Sequence, residues 1–467
     1  MTLAKFANNL ATVGCALACA VAAGAFPFGA RAQGIEDALA EAYRNNPQLL
    51  AQRARVRATD EQVPQALAGW RPTVDMTADA GTSRYETNIP SSSSPALQHR
   101  EPKSTKLELT QPLYRGGRTR AATSEAENNV KAERARLVAV EQRVLLDAAI
   151  AYLDLYREIA VLDLNVNNEQ VLRRQLEATR DRFQVGEITR TDVFQAEARL
   201  ARATADRIKA EGDLEIARAS FVKVIGAAPP AAPALPASPD RLPEDKDKAI
   251  RDAAVQNPAV IAAEFDQKAA KDRVDGAEGE LLPTFRIVAS AGKDWESSNE
   301  SSRISNLEAK LKFSMPLYEA GATYAKVRGA KQTAAERQNL IDKERRDAVQ
   351  TATRAWDTLL SARARVDSFD SQIKAATVAL EGVEREAAVG SRTVLDVLNA
   401  EQELLDAKVN HVRAQRDELV AAFELKSAIG LLTAERMGLK VDLYDPVVNY
   451  DESRDRWFGT SVKGGAE

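Results

Sequence analysis

Cysteine is almost absent: two stand in 467 residues, Cys15 and Cys19. Both fall in the apolar N-terminal stretch Leu10 to Phe28, which follows Lys5 and precedes Ala30-Arg31-Ala32, an A-x-A cleavage pattern before Gln33. The small residues of this stretch make a poor membrane anchor, so residues 1–32 read as a secretory signal. The rival reading, a lipid anchor, finds poor triplets before the cysteines, Thr12-Val13-Gly14 and Ala16-Leu17-Ala18. The mature chain then holds no cysteine. That excludes a disulfide framework and a thiolate metal site.

Other scarcities narrow the function. Only two histidines occur, His99 in a polar loop and His411 among charged helix neighbours. There is no His-Glu-x-x-His, no Gly-rich phosphate loop and no nucleophile elbow, so neither an enzyme nor a cofactor is expected. Charged residues make up 28% with a net charge of −4 and both signs mixed, which gives no basic footprint for nucleic acid. Aromatics are 5%, low for a large globular core but normal for alanine-rich helix packing. Proline is missing from Arg118 to Val185, between Pro316 and Val389, and between Leu405 and Pro446.

Those proline-free runs predict very long helices. About 68 residues at 1.5 Å each span on the order of 100 Å. Within the first run Val144, Ala148, Ala151, Leu155, Ile159, Leu162 and Val166 form a seam at helical spacing. The runs break at Val185-Gly186-Glu187-Ile188-Thr189-Arg190-Thr191-Asp192-Val193 and at Val389-Gly390-Ser391-Arg392-Thr393-Val394-Leu395-Asp396-Val397. Glycine accepts the positive φ of a tight turn, so Gly186 and Gly390 are where each long helix reverses into a second one.

The two turns are 204 positions apart, as are Asp192 and Asp396, Pro112 and Pro316, and Gly226 and Gly430. Upstream the offset is 211, shared by Pro47 and Pro258, Pro72 and Pro283, and Gly81 and Gly292. One unit is written twice, and the second copy lacks seven residues opposite Ser91-Ser92-Ser93-Ser94-Pro95. Each copy opens with a short helix ending at Asn-Pro, Ile35 to Asn45 and Lys246 to Gln256, followed by a second helix.

Between these helices and the long runs the period changes to two. Val74, Met76, Ala78 and Ala80 alternate with Thr73, Asp75, Thr77 and Asp79, and Leu107 and Leu109 with Lys106, Glu108 and Thr110. Copy two repeats the pattern with Phe285, Ile287, Ala289 and Ala291, then Leu307, Ala309, Leu311, Phe313 and Met315. These are two hairpins, apolar on one face and charged on the other. An antiparallel sheet with one wet face is the plain reading. Two features favour lipid: aromatics near the strand ends (Trp70, Tyr114 and Tyr318 at one end, Tyr85 and Trp295 at the other) and the want of any other segment to cover the hairpins. Four strands cannot close a barrel, the smallest having about 8. Open edges are forbidden in lipid. Two chains would give 8 strands and three would give 12, wide enough for a lumen.

The domain reading is therefore a signal peptide (1–32), repeat one (33–228, hairpin about 71–115, turn at 186) and a Pro-rich linker (229–243). Repeat two (244–440, hairpin about 283–318, turn at 390) and a tail (441–467) follow. The tail's last residues, Lys463 to Glu467, are expected to be disordered.

With these parts assembled, the mature chain to about Phe458 resembles the TolC-like outer-membrane efflux and secretion proteins. The carrying residues are the duplicated Asn-Pro helix, Gln111-Pro112-Leu113-Tyr114-Arg-Gly-Gly, Met315-Pro316-Leu317-Tyr318-Glu-Ala-Gly, and the Val-Gly-x-x-Thr-x-x-Asp-Val turn. Leu395-Asp396-Val397-Leu398-Asn399-Ala400-Glu401-Gln402-Glu403-Leu404-Leu405 and the stretch Tyr444-Asp445-Pro446 through Arg456-Trp457-Phe458 look most like the type I secretion branch. The resemblance implies an α+β, mostly α fold. A homotrimer would share a 12-stranded barrel in the outer membrane of a Gram-negative bacterium, with a helical barrel crossing the periplasm. It also implies a periplasmic adaptor (membrane fusion) protein and an inner-membrane ABC or RND transporter as partners, beside outer-membrane lipid. The turns at Gly186 and Gly390 become the periplasmic tip, and Ser91 to Glu101, the longest polar loop, faces outside the cell.

No firm metal site follows. In a trimer, Asp396 would form a ring of three carboxylates and so a lumenal cation site, with Asn399 on the same helix face. Family members often carry a second Asp where Asn399 stands, so a weaker site is expected. Arg392 is expected to latch the tip by pairing with Asp192 and Thr191. The plainer reading is a helix N-terminus, with Thr191 or Thr393 as cap and Asp192 or Asp396 at the positive dipole end. The function these readings favour is a passive exit duct; the alternative is a periplasmic coiled-coil scaffold without a pore.

Overall fold

The computed structural model describes residues 34–86, 97–298 and 301–462. The signal-peptide stretch, both cysteines, Ser91 to Ala96 of the polar loop and Lys463 to Glu467 lie outside the described residues, as does the side chain of Tyr85.

Each copy begins with two short helices joined at Asn-Pro: α1 (Ile35–Asn45) and α2 (Pro47–Asp60) in the first, α6 (Lys246–Gln256) and α7 (Pro258–Glu278) in the second. Proline fits the first helical position, where its missing N–H costs nothing. The preceding asparagine does two jobs. Asn46 Oδ1 accepts from the Gln48 and Leu49 N–H groups as N-cap, while its Nδ2 donates to the Val224 carbonyl at 2.9 Å. Asn257 Oδ1 likewise accepts from the Ala259 N–H, and its Nδ2 donates to the Ala428 carbonyl at 3.2 Å. Both carbonyls sit at the end of a helical hairpin, so the joint ties the start of each copy to its finish. Copy one adds the short helix α3 (Gln62–Leu67).

The hairpins are α4 (Arg118–Gln184, 67 residues) with α5 (Arg190–Ile225, 36 residues), and α8 (Ala322–Ala388, 67 residues) with α9 (Val394–Ala428, 35 residues). The seam on α4 packs as its spacing predicts: Val144, Ala148, Ala151 and Leu155 are buried, and Ile159 and Leu162 partly so. The main core lies where α1 and α2 wrap the hairpins, with Leu39, Tyr43, Tyr152, Leu153, Phe221, Phe423 and Leu432 interlocked.

Strands β1 (Thr73–Ala80), β4 (Lys103–Arg115), β5 (Thr284–Trp295) and β6 (Arg303–Ser314) form one antiparallel sheet in the order β1-β4-β5-β6. A separate two-stranded ribbon, β2 (Ser83–Glu86) with β3 (Leu97–Arg100), extends the first hairpin and occupies the side where copy two is shorter. Register aligns like with like. Val74, Leu109, Ala289 and Ala309 make one apolar row, and Met76, Leu107, Ala291 and Leu307 the next. Asp75, Glu108, Ser290 and Glu308 make a polar row on the other face. At one end Tyr114, Phe285 and Phe313 stack across three strands at 6.4 and 5.1 Å.

The linker and tail are tied down. The Tyr152 hydroxyl donates to the Ala234 carbonyl and Lys426 Nζ to the Asp240 carbonyl, each at 3.0 Å. The tail forms α10 (Pro446–Arg454), capped by Asp445, with Asn449 donating to Asp60 at 2.8 Å and Arg134 stacked over Tyr450.

Candidate functional site

Two regions of the chain stand unfinished: the end of the helical hairpins and the edges of the sheet.

Both helical turns have the same construction. Gly186 has φ 82° and Gly390 φ 80°. Each closes a Schellman motif, with Gly186 N donating to Phe183 O and Glu187 N to Arg182 O, and Gly390 N to Ala387 O and Ser391 N to Glu386 O. The next helix starts with a capping box. Thr189 Oγ1 accepts from the Asp192 N–H, and Asp192 Oδ2 accepts from the Thr189 N–H at 2.9 Å. Thr393 and Asp396 repeat it, at 3.2 and 2.9 Å. The cap in copy one is thus Thr189, not Thr191, which sits exposed in the first turn of α5. The 204-residue offset would have found it, since it carries Thr393 onto Thr189.

The expected pairing of Arg392 with Asp192 and Thr191 does not occur within the protomer. Arg392 Nε pairs with Glu386 at 2.9 Å across its own turn, and both side chains are half exposed. Glu386 ends the helix that Arg392 follows and lies within reach across the turn, whereas Asp192 starts a helix of the other hairpin and is engaged in its own capping box. Asp396 is held below the usual carboxylate range by the Thr393 N–H and hydroxyl, with Arg392 adding to the effect.

What joins the two hairpins near the tip is different. Val394 and Leu398 of α9 pack against Leu172 and Leu176 of α4 and Ala196 and Ala203 of α5, with Val193 and Leu200 at the margin. Leu398 is 1% exposed. Beside this cluster Arg199 of α5 donates to Asn399 Oδ1 at 2.7 Å. Asn399 is therefore engaged by the sibling hairpin. No local pattern announces Leu398 or Arg199, because their partners lie some two hundred positions away.

The second unfinished region is the sheet. Strands β1 and β6 each have one neighbour, so each leaves a row of backbone N–H and C=O groups unpaired. The apolar face is bare: Leu307 is 86% exposed, and Val74, Met76, Leu311 and Phe313 are also exposed. At the end nearest the helices stand exposed Trp70, Tyr318, Trp457 and Phe458. No described helix is long and apolar enough to cross a membrane. Among the described residues no group of acidic residues and histidines is placed to hold a metal ion.

The family model described as outer membrane efflux protein matches residues 38–227 and again 249–431, once on each copy. The chain is 35% identical over 430 residues to the outer membrane efflux protein BepC of Brucella suis biovar 1, covering 92% of both. It is 25% identical to outer membrane protein TolC of Escherichia coli, covering 87% of this chain and 84% of that one. In fold it is similar to the Campylobacter jejuni CmeC outer membrane channel, with a TM-score of 0.77 and 16% identity over 90% of this chain and 89% of that one. The duplicated hairpins, the half-finished sheet and these likenesses agree: the chain belongs to the outer membrane efflux protein family, mostly α with an antiparallel sheet, and its place is the outer membrane of a Gram-negative bacterium.

Proposed function

We propose that this protein is the passive exit duct of a tripartite export system, closed into a channel by three copies of the chain. The observation that carries the reading is the sheet with two free edges and a bare apolar face. Lipid tolerates no open edge, so β1 of one copy pairs with β6 of the next. Two copies would give 8 strands around a filled interior; three give 12 and leave a lumen. The hairpins extend below as a helical barrel through the periplasm, and their turns form its tip. An adaptor protein and an inner-membrane ABC or RND transporter engage it there. The sequence Leu395 to Leu405 and the Tyr444-Asp445-Pro446 tail favour type I secretion.

The tip is closed at rest. Its latch is chiefly the apolar contact of Val394 and Leu398 with the first hairpin, seconded by Arg199 on Asn399. Three Asp396 carboxylates around the axis form a cation-attracting ring, while Asp192, Arg392 and Thr191 shape the turns.

Mass measurement of the purified protein in mild detergent tests the assembly. A trimer is expected; a stable monomer or dimer would sink it. A strain lacking the gene should lose a secreted protein from its medium. If it loses none but becomes sensitive to large antibiotics, the system is drug efflux and the type I reading fails. If the protein does not fractionate with the outer membrane, the scaffold reading replaces the duct.

A further inference from the structure

The packing between α8 and α9 near the tip contains a carboxyl group that neither cap nor ion pair employs. Glu401 lies on α9 two residues beyond Asn399, with Glu384 of α8 as its neighbouring charge. Its Oε2 is sealed from solvent and has no hydrogen-bond partner. An ionised carboxylate can only accept, so a buried one without a donor is costly, whereas a carboxylic acid carries no charge to desolvate.

Most charged groups on the surrounding elements are engaged elsewhere: on α8 Lys374 pairs with Asp370 at 2.6 Å, while Glu384 stands exposed. On α8, Arg385 is held by Glu381 at 3.4 Å. On α5, Arg199 donates to Asn399, and Glu197 pairs with Arg180 of α4 at 2.6 Å. On α9 itself, Asp406 accepts from Gln402, Glu403 is exposed, and His411 lies further along, beside Asp370. Among the described residues of the protomer no cation offsets the burial. Desolvation first, and the Glu384 charge second, push the Glu401 carboxyl up to about 7.

We propose that Glu401 is a proton-binding position that sets how tightly α8 and α9 pack at the tip. Protonated, it lets the two helices close over it; ionised beside Glu384, it drives them apart. The consequence for gating rests on the duct reading above, but the titration does not. The sign follows from linkage. The carboxyl titrates higher in the packed state than in an opened, solvated one, so packing is most stable at low pH and weakens as pH rises towards and through neutrality. With an ordinary glutamate value in the open state, the opening equilibrium grows about tenfold between pH 6 and pH 8.

Hydrogen exchange on the purified full-length protein in detergent reads this directly. After correction for intrinsic rates, the backbone of 376–410 should open about tenfold more readily at pH 8 than at pH 6. Glu401→Gln should hold the low-pH protection at both values, and Glu384→Gln should move the midpoint to lower pH. Exchange in the wild type that does not change with pH, or pH dependence that survives in Glu401→Gln, would overturn the proposal. Conductance in a planar bilayer adds the second arm: it should rise with pH in the wild type and stay low in Glu401→Gln. If exchange switches while conductance does not, the proton site stands and the duct-tip reading is what fails.

Discussion

Leu398 is 1% exposed and Arg392 half exposed, and that contrast decides what holds the tip. A fully buried leucine contributes about 1.5–3 kcal/mol relative to exposure. An exposed ion pair contributes about 0.2–1 kcal/mol. An electrostatic latch at Arg392 is therefore the smaller force even before its partner proves to be local Glu386. Leu398→Ala should weaken the tip by about 2–5 kcal/mol, read as faster hydrogen exchange in α9 and larger single-channel conductance. Arg392→Ser should change either by little. If Arg392→Ser opens the channel and Leu398→Ala does not, the electrostatic latch returns. Asp396→Ala removes half of a capping box and, in the proposed trimer, the charge of the carboxylate ring, so it should lower cation selectivity and relieve block by divalent cations. It should also cost about 1 kcal/mol of local helix stability. The roles of Asp192 and Asp396 as first-turn carboxylates were legible, because a capping box is written within four residues. Leu398, Arg199 and Glu401 were not, because a residue's burial depends on which distant helix lies across from it.

At the scale of elements, the chain is legible wherever one residue dictates backbone geometry. Pro47 and Pro258 start α2 and α7; Gly186 and Gly390 end α4 and α8 with positive φ. The long helices follow from the lack of any proline from Arg118 to Val185 and between Pro316 and Val389. Alternation marks the strands but not their order, since β4 beside β5 joins the two copies and only long-range pairing fixes it. Gly390→Ala tests the turn. Nothing crowds an added Cβ there, so the cost is the left-handed backbone alone, about 1–2 kcal/mol. Gly430 differs: its Cβ would meet the Gln256 carbonyl oxygen, at the Asn257 joint that ties copy two together. Gly430→Ala should therefore lower the melting temperature of the helical circular-dichroism signal more than Gly390→Ala does. Equal shifts would mean that the joint yields and does not anchor the hairpin.

For the whole molecule the decisive question is whether the bare face of the sheet meets lipid or water. Neighbouring residues of β6 answer it, because they point to opposite faces. Leu307 lies in the apolar row, while Glu308 lies in the polar row and pairs with Lys310. If the apolar face is in the membrane, Leu307→Arg places a charge in hydrocarbon at about 2–4 kcal/mol per copy near the midplane. Three copies carry it at once, so the heat-modifiable trimer recovered from outer membranes should fall sharply. In that arrangement Glu308 would face the lumen, and Glu308→Gln should leave assembly intact while shifting the reversal potential away from cations. A scaffold with a wetted sheet predicts otherwise. Leu307→Arg would then replace an exposed apolar side chain by a soluble one, raising yield if anything, and Glu308→Gln would alter no conductance because there would be none. The two substitutions are adjacent in sequence and opposite in expected effect, so general misfolding would affect both and cannot imitate the pattern.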